Sequence, residues 1–472
     1  MNSIRINRAL IVGLILLMVA TIFIGWRLFF ACKYQIVDDS LSVKLDPGNS
    51  LRVHIEFQTD QETDATVKYW KKEDAYEPAK CSKRSISSQC HQFTIVDLEQ
   101  DCEYKFEILL GSNACAHPDA AYRFTTGKIP VGLTPINWRD GLEQNFQGYI
   151  LLQRRTVKGN VFIVGSAGKI VWYEKIDGMV KVSNWTDDNT ILVLYGDKNH
   201  KNSAGDHILE IDLEGNRLIH LTVGENDFNN TAHHEVLKDG NGNVLALIYD
   251  TRHFNLTDYG GSANDEVIGD GLLLMDKYGN QLWKWSVFDS KNPLEDPLIY
   301  EKKGDWGHAN GVYIDLDGNY LVSFRDWNQI WKINSTSGQV MWTFGENGDI
   351  PLEDKYQFSG QHSIHINKNG EYMLFDNGLK NRKSRALAYI INEESFEAVN
   401  TLNIAFQEEL FADRMGSAYL LDNDRILLCS PRLQSLVITD LNGDIISHAD
   451  LGKPDPYRAN YIRTLYNQEF LP

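Results

Sequence analysis

Gly304 to Gly345 reads GDWGHANGVYIDLDGNYLVSFRDWNQIWKINSTSGQVMWTFG. Two hydrophobic runs, VYI and YLVSF, flank the turn DLDGN, and two more, QIWKI and QVMWTF, flank the turn NSTSG. Gly or Asn in each turn supplies the positive φ that a tight hairpin needs. The stretch is therefore four short antiparallel strands, with aromatic and β-branched residues suited to a pleated surface.

The same two-part unit recurs from Gly148 onward. A turn leading into a hydrophobic strand appears as DDNTILVLY, DGNGNVLALIY, DGNYLVSF, KNGEYMLF and DNDRILLC. A second hairpin follows most of these, as AGKIVWYEK, LEGNRLIHL, YGNQLWKW, TSGQVMWTF and LNGDIISHA. Paired, the units give groups beginning near Gly148, Asn184, His233, His308, Gln361 and Gly416. Their spacing of about 50 residues suits a four-stranded propeller blade, and six blades are the natural count. The closing segment YRANYIRTLY is expected to complete the first blade's sheet.

Ahead of the repeats, SLRVHIEFQ, ATVKYWKK, QFTIVDL, CEYKFEILL and AAYRFTT alternate apolar and polar residues, as half-buried strands do. They predict a small immunoglobulin or fibronectin type III-like β-sandwich. KIPVGLTPINW, with Pro130 and Pro135, reads as a linker without regular pairing. The expected division is an anchor over 1–33, a sandwich over 34–128, a linker and propeller start over 129–147, and an all-β propeller over 148–472.

Ala9 to Trp26 is uncharged and apolar, and as a helix it would reach about 27 Å, enough to cross a bilayer. Bulky Phe29 and Phe30 make a poor cleavage site, which favours an uncleaved single-pass anchor over a signal peptide. Cys32 leaves a lipidated alternative. Four of the six cysteines, Cys81, Cys90, Cys102 and Cys115, lie close together, which suits disulfides on an extracytoplasmic face. Short loops favour Cys81 with Cys90 and Cys102 with Cys115, crossed pairings staying open, and Cys429 reads as a buried thiol. Sequons at Asn184, Asn229, Asn255 and Asn334 are compatible with that face.

The 472 residues carry 46 Lys and Arg against 64 Asp and Glu, a net charge of −18. That balance excludes a nucleic-acid partner, for want of a basic stripe, but leaves room for local anion pockets. Three histidine groups, in TAHHEVLKDGNGN, GDWGHANGVYIDLDGN and SGQHSIHINKNG, fall just before expected innermost strands. Innermost strands start at one mouth of a propeller channel, so His233 or His234, His308 and His362 are expected to converge on its axis. Arg325, at the end of YLVSFR, can join them as an anion clamp or pair with Asp326 on the surface.

DWGHAN with DGNYLVSFRDWNQIWKI, GQVMWTFG, QHSIHINKNGEYMLFDNG and SRALAYII resembles the bacterial arylsulfate sulfotransferase family, from about Asn137 to the C-terminus. The resemblance implies an enzyme that works without phosphoadenosine phosphosulfate. It makes His362 the residue that is transiently sulfurylated and gives His234 (or its neighbour His233), His308 and Arg325 the sulfuryl oxygens, with Asn310 a further ligand contact. His234 is favoured because an acidic residue follows it, although Glu235 stands where the family has aspartate.

The residue types suit that chemistry on their own terms. A neutral imidazole can attack sulfur and split the transfer into two steps, while cationic donors stabilise charge on the oxygens. The expected partners are a small aromatic sulfate donor and a phenolic acceptor in a ping-pong cycle, with no cofactor and no metal; a homodimer stays open. Trp306 and Trp327 are candidates to stack on the aryl ring. Three readings compete. Tryptophan hairpins resemble quinoprotein propellers, three convergent imidazoles can ligate a metal, and the chain can be a non-catalytic, membrane-anchored binding module. DLDGN resembles the start of a calcium loop but lacks the downstream Glu.

Overall fold

The computed structural model describes residues 34–73, 79–111, 115–116, 122–139, 146–200, 203–452 and 456–465. The expected membrane anchor and Cys32 lie outside them. Among the described residues, no helix is long and apolar enough to cross a membrane.

The first two sheets come from the alternating segments. Val53–Thr63 lies between Ser42–Leu45 and Ser88–Ile95, and Ala65–Lys71 lies between Lys80–Cys81 and Glu103–Leu110, which also pairs with Tyr122–Thr125. Val53, Ile55 and Phe57 point from one sheet, and Tyr104, Phe106 and Ile108 from the other, into one shared core. The period-two pattern is thus read out directly as an inner face.

The cysteine expectation fails here: Cys81, Cys90 and Cys102 are unbridged thiols. Cys81 is in the second sheet and Cys90 in the first, paired with Gln58. Cys90 is exposed and lies outside the core that the two sheets share. Cys115 pairs with Leu110 at the far end of a strand that starts just after Cys102, eight residues or about 26 Å away. Cys429 is fully buried, as expected.

Six antiparallel sheets of four or five strands follow. In five of them the inner position is taken by β1 (Met179–Trp185), β2 (Ala232–Lys238), β3 (Ala309–Ile314), β4 (His362–Ile366) and β5 (Ser417–Leu420), with the two-residue strand Ala204–Gly205 paired to the other edge of β2. In the remaining sheet the inner position is taken by β6 (Asn460–Ile462), which pairs with Tyr149–Leu151 as the closing segment was expected to do. Each inner strand contacts the next, and β6 contacts both β5 and β1, so the ring closes. Closure removes the open edges that a single long sheet would expose.

Trp138–Arg139, read as unpaired linker, pairs with His448 and Ala449 as the outermost strand of the last sheet. The first sandwich residues are also tied to the ring: Asn49 Nδ2 donates to the Tyr173 carbonyl at 2.6 Å, and Arg52 pairs with Glu174.

The acid-rich turns serve the hairpins. Asp239, Asp276 and Asp440 each accept hydrogen bonds from backbone N–H groups two and four residues on. At the turn read as a calcium-loop start, the Lys332 ammonium sits 2.7 Å from both Asp315 and Asp317 and also bonds Glu393. Those three acids are, among the described residues, the one group of His, Cys or acidic donors close enough to share an ion. A lysine already occupies their centre, so the turn is an intramolecular charge cluster.

Candidate active site

The three histidine-bearing strands share an irregularity. Pairing slips between Ala232 and Val236 in β2, between Ala309 and Gly311 in β3, and between His362 and His365 in β4. At or beside each slip a non-glycine residue takes a left-handed conformation: His234 (φ 57°), His308 (φ 48°) and Ser363 (φ 55°). A bulge re-aims side chains at the end of a strand, and here three bulges at equivalent positions aim imidazoles at one place.

The rings of His234 and His308 meet at 5.2 Å, and His234 and His362 lie 5.9 and 6.3 Å from the ring of Tyr457. His233 turns away. It stacks on Tyr249 at 4.0 Å, with Nε2 3.4 Å from Asp270 in a geometry that makes no hydrogen bond. The doubled histidine is thereby assigned, with His234 facing the cluster and His233 buried behind it, their Nδ1 atoms 2.8 Å apart.

His362 is 3% exposed. Its Nδ1 lies 2.7 Å from Asn377 Oδ1 and 3.0 Å from the Gly360 carbonyl, both acceptors, so Nδ1 carries the proton. Nε2 then holds the lone pair and accepts a long 3.2 Å bond from Met415 N–H. Burial, aided by the positive charge of Arg325, pulls the imidazole down to about 3, even though the Asn377 bond favours its charged form. Burial also holds His233 near 3 and His234 well below the ordinary range. Neutral imidazoles are nucleophiles and acceptors at any physiological pH.

His308 is held from behind, its Nδ1 2.6 Å from Asp305 Oδ2, which leaves Nε2 for a substrate. Arg325 makes the pair with Asp326 that was one of its two expected roles. Its guanidinium pairs with Asp326 at 2.7 Å, its backbone N–H donates to the His308 carbonyl at 3.1 Å, and its charge is felt at His362 and Tyr457. The side chains of His308 and Arg325 are 20% and 24% exposed, against 5% and 3% for residues His234 and His362, so solvent reaches the cluster from their side.

Three expected contacts take different places. Trp306 is core: it is fully buried, stacks on Phe288 at 5.6 Å and donates Nε1–H to Asp296 at 3.0 Å, so no face is left for a substrate ring. Trp327 packs against Phe324 and Trp331 in the same aromatic group. Asn310 is fully buried and donates to the Gln361 carbonyl at 2.7 Å, tying β3 to the residue before His362. Asn184, one of the sequons, is buried and bonded to Glu235 at 2.6 Å, which rules it out as a glycan acceptor.

Sequence reasoning missed Tyr457, Arg155, Asn377 and Asp305. Tyr457 is 2% exposed, with the Arg155 and Arg458 guanidinium groups 5.8 and 5.4 Å from its ring centre. Its hydroxyl is buried and finds no hydrogen-bond partner among the described residues. Burial pushes that phenol up to about 12, so it stays a donor. The available signal was position, since Tyr457 opens the closing segment. A cavity of about 780 Å³ near Arg252, Phe288 and Lys291 lies on the outer part of the ring and contains none of these groups.

The arrangement offers an anchored neutral nucleophile, two further imidazoles, a buried hydroxyl donor and two guanidinium groups around one spot. That set suits a tetrahedral anion with three oxygens to hold and one bond to break. No curated protein matches the chain. Among solved structures it is similar to a protein of unknown function from Bacteroides caccae (15% identity, 68% of this chain and all of that one, TM-score 0.41). It is also similar to a catalytically inactive virginiamycin B lyase from Staphylococcus aureus (12%, 68% and 90%, 0.38) and to a β-propeller domain from Myceliophteria thermophila (10%, 65% and 84%, 0.38). The sequence pattern of the Arylsulfotransferase (ASST) family matches residues 132–447, more than half of the chain, and the chain belongs to that family.

Proposed function

We propose that this chain moves a sulfuryl group from an aryl sulfate to a phenol through a sulfo-His362 intermediate. The observation that carries the reading is the Nδ1–H of His362 fixed on Asn377, which makes Nε2 the lone-pair nitrogen, engaged only by the long 3.2 Å bond from Met415 N–H that attack on sulfur would displace. In the first step Nε2 attacks sulfur, an N–S bond forms and the S–O bond to the aryl group breaks. The departing oxygen takes a proton from Nε2 of His308, whose Nδ1 is held by Asp305. His234 and Arg325 hold the sulfuryl oxygens, and Tyr457 O–H donates to one of them. In the second step a phenol returns its proton to His308, its oxygen takes the sulfur, and the N–S bond breaks to restore His362. Protons balance over the two steps, and one imidazole carries them.

In this reading the six sheets are propeller blades, and the leading pair of sheets is an immunoglobulin or fibronectin type III-like module. Residues 1–33 anchor the chain with its body on the extracytoplasmic side. The test is incubation of the full chain with 4-nitrophenyl sulfate and phenol. Release of nitrophenol, formation of phenyl sulfate and a sulfuryl mass on the His362 peptide are expected. No release, or release unchanged in His362→Ala, sinks the proposal.

A further inference from the structure

His233 and Asp270 are buried side by side behind the catalytic cluster and take no part in the transfer steps. Each is 1% exposed. Asp270 Oδ2 accepts from Ala309 N–H at 2.9 Å, at the start of β3 and one residue after His308. Its Oδ1 lies 3.4 Å from His233 Nε2, and neither of these two atoms has a hydrogen-bond partner elsewhere among the described residues. The other nitrogen of the ring, His233 Nδ1, lies 2.8 Å from His234 Nδ1. The three side chains thus run in series from a carboxyl to an imidazole of the cluster. The 3.4 Å link is long for a hydrogen bond, and such links in catalytic sites tighten when substrate binds.

Two proton arrangements fit these contacts, because the space between the two Nδ1 atoms holds one proton. If His234 supplies it, His234 Nε2 is a bare lone pair, which repels a sulfuryl oxygen. If His233 supplies it, His234 carries its own proton on Nε2 and can donate to that oxygen. His233 Nε2 is then the lone pair and needs a donor. Asp270 is that donor only as the neutral acid.

The surroundings favour the neutral acid. No Lys or Arg pairs with Asp270 among the described residues, and a buried carboxylate without a cation is costly. Burial raises the carboxyl well above the ordinary range, with the negative charges of Asp305 and Asp326 adding to it and the Ala309 bond opposing. Burial also keeps His233 uncharged, although Asp305 and the Ile248 carbonyl favour a charged ring, while His308 disfavours one. His234 is held neutral by burial and by His233, His308, His362 and Arg155. With the acid proton on Oδ1, a second proton on His233 Nε2 would point straight at it, so the ring proton belongs on Nδ1.

We infer that Asp270 is a positioning residue which, acting through His233, fixes the His234 proton on Nε2. The use of that proton, donation to a sulfuryl oxygen, rests on the transfer reading; the tautomer does not.

The experiment is nitrogen NMR of the full chain carrying isotope-labelled histidine at neutral pH, without substrate, the His234 signals being assigned by their loss in His234→Gln. The native chain is expected to show Nε2 protonated and Nδ1 bare. Asp270→Ala removes the donor, leaves the Ile248 carbonyl unopposed and is expected to reverse the pattern. Asp270→Asn offers an amide oxygen to Ala309 N–H and an N–H to His233 Nε2, and is expected to restore it, which separates loss of the proton from loss of the fold. The inference is overturned by a bare Nε2 in the native chain, by a tautomer unmoved in Asp270→Ala, or by Asp270→Asn failing to restore it. If Asp270→Ala does not fold, the native chain and Asp270→Asn decide alone. Turnover of 4-nitrophenyl sulfate is scored separately: Asp270→Ala should lose about 100-fold in kcat/KM, the worth of one oxyanion donor, and Asp270→Asn should recover most of it. A reversed tautomer with unchanged turnover would strike His234 from the transfer reading and leave the inference standing.

Discussion

Replacing Asn377 by aspartate places a carboxylate where a neutral oxygen now accepts the His362 Nδ1 proton at 2.7 Å. The pair is buried; Asn377 Nδ2 also donates to the Ala412 and Met415 carbonyls at 2.8 and 3.1 Å, two bonds that aspartate gives up while it keeps the oxygen that faces His362. Two unit charges about 4 Å apart attract by about 4 kcal/mol at an effective dielectric of 20, or about three pKa units. His362 stands near 3 in the native chain, so Asn377→Asp brings it to about 6. The sign follows from the chemistry: the lone pair attacks, protonation removes it, and a raised pKa moves the loss of activity to higher pH. At pH 5 the native imidazole stays almost wholly neutral, while only about a tenth of the variant's is. The assay is initial nitrophenol release from 4-nitrophenyl sulfate between pH 4.5 and 8.5, aliquots being quenched in base, with circular dichroism at each pH to verify the fold. The native profile should stay flat at its acid end, and the variant should lose about tenfold from its own plateau by pH 5. A variant whose acid limb stays with that of the native chain would refute the reasoning, because the group whose protonation limits the rate would then not be the imidazole held by residue 377.

Tyr457→Phe removes a hydroxyl that has no partner among the described residues, so thermal stability should be unchanged or slightly raised, whereas kcat should fall about 5- to 160-fold, the worth of about 1–3 kcal/mol for a charge-assisted bond made in the transition state; equal loss of kcat and stability would argue against that role. Lys332→Met strands Asp315, 6% exposed, among like charges and should cost about 3 kcal/mol by urea unfolding, while turnover per folded molecule is retained. Asp326→Asn frees Arg325 from a partly exposed pair and should lower the KM for the aryl sulfate by up to about fivefold, in keeping with about 0.2–1 kcal/mol for such pairs; a higher KM would show that Asp326 orients the guanidinium instead.

Much of the ring was legible because it repeats. A turn such as DGNGN dictates a hairpin from its own residues, and five recurrences fix the sheets within a few residues, although β1 starts at Met179 rather than Asn184. Equivalent positions in repeats occupy equivalent positions in space, which is why His308 and His362 could be named from spacing alone. What escaped depends on partners remote in sequence. Trp138–Arg139 becomes a strand only because His448 and Ala449 lie beside it more than 300 residues later. Tyr457 and Arg458 belong to a closing segment without the histidine phase, and Lys332 looked like an ordinary strand residue until three acids surrounded it. The cysteines misled because proximity along the chain says nothing about which layer a strand joins.

The aromatic residues near His308 illustrate how a functional guess can be displaced by a structural one that serves the same site. Gly307 has φ 95°, and a Cβ there would come within 3.0 Å of the Trp327 ring. Trp327 in turn is flanked by Trp306 at 5.1 Å, Phe324 at 4.6 Å and Trp331 at 5.4 Å. The chain therefore passes under a packed aromatic group at Gly307, where φ is already positive, and stays at positive φ through His308. Gly360, with φ 69°, lies two residues before His362, and a Cβ there would meet Leu379 at 2.5 Å. Left-handed φ at a non-glycine residue costs about 1–3 kcal/mol and persists only where its surroundings over-determine it. Packing against Trp327 and Leu379 supplies that constraint, so the tryptophans act on the chemistry by fixing the backbone that aims the imidazoles rather than by touching a substrate.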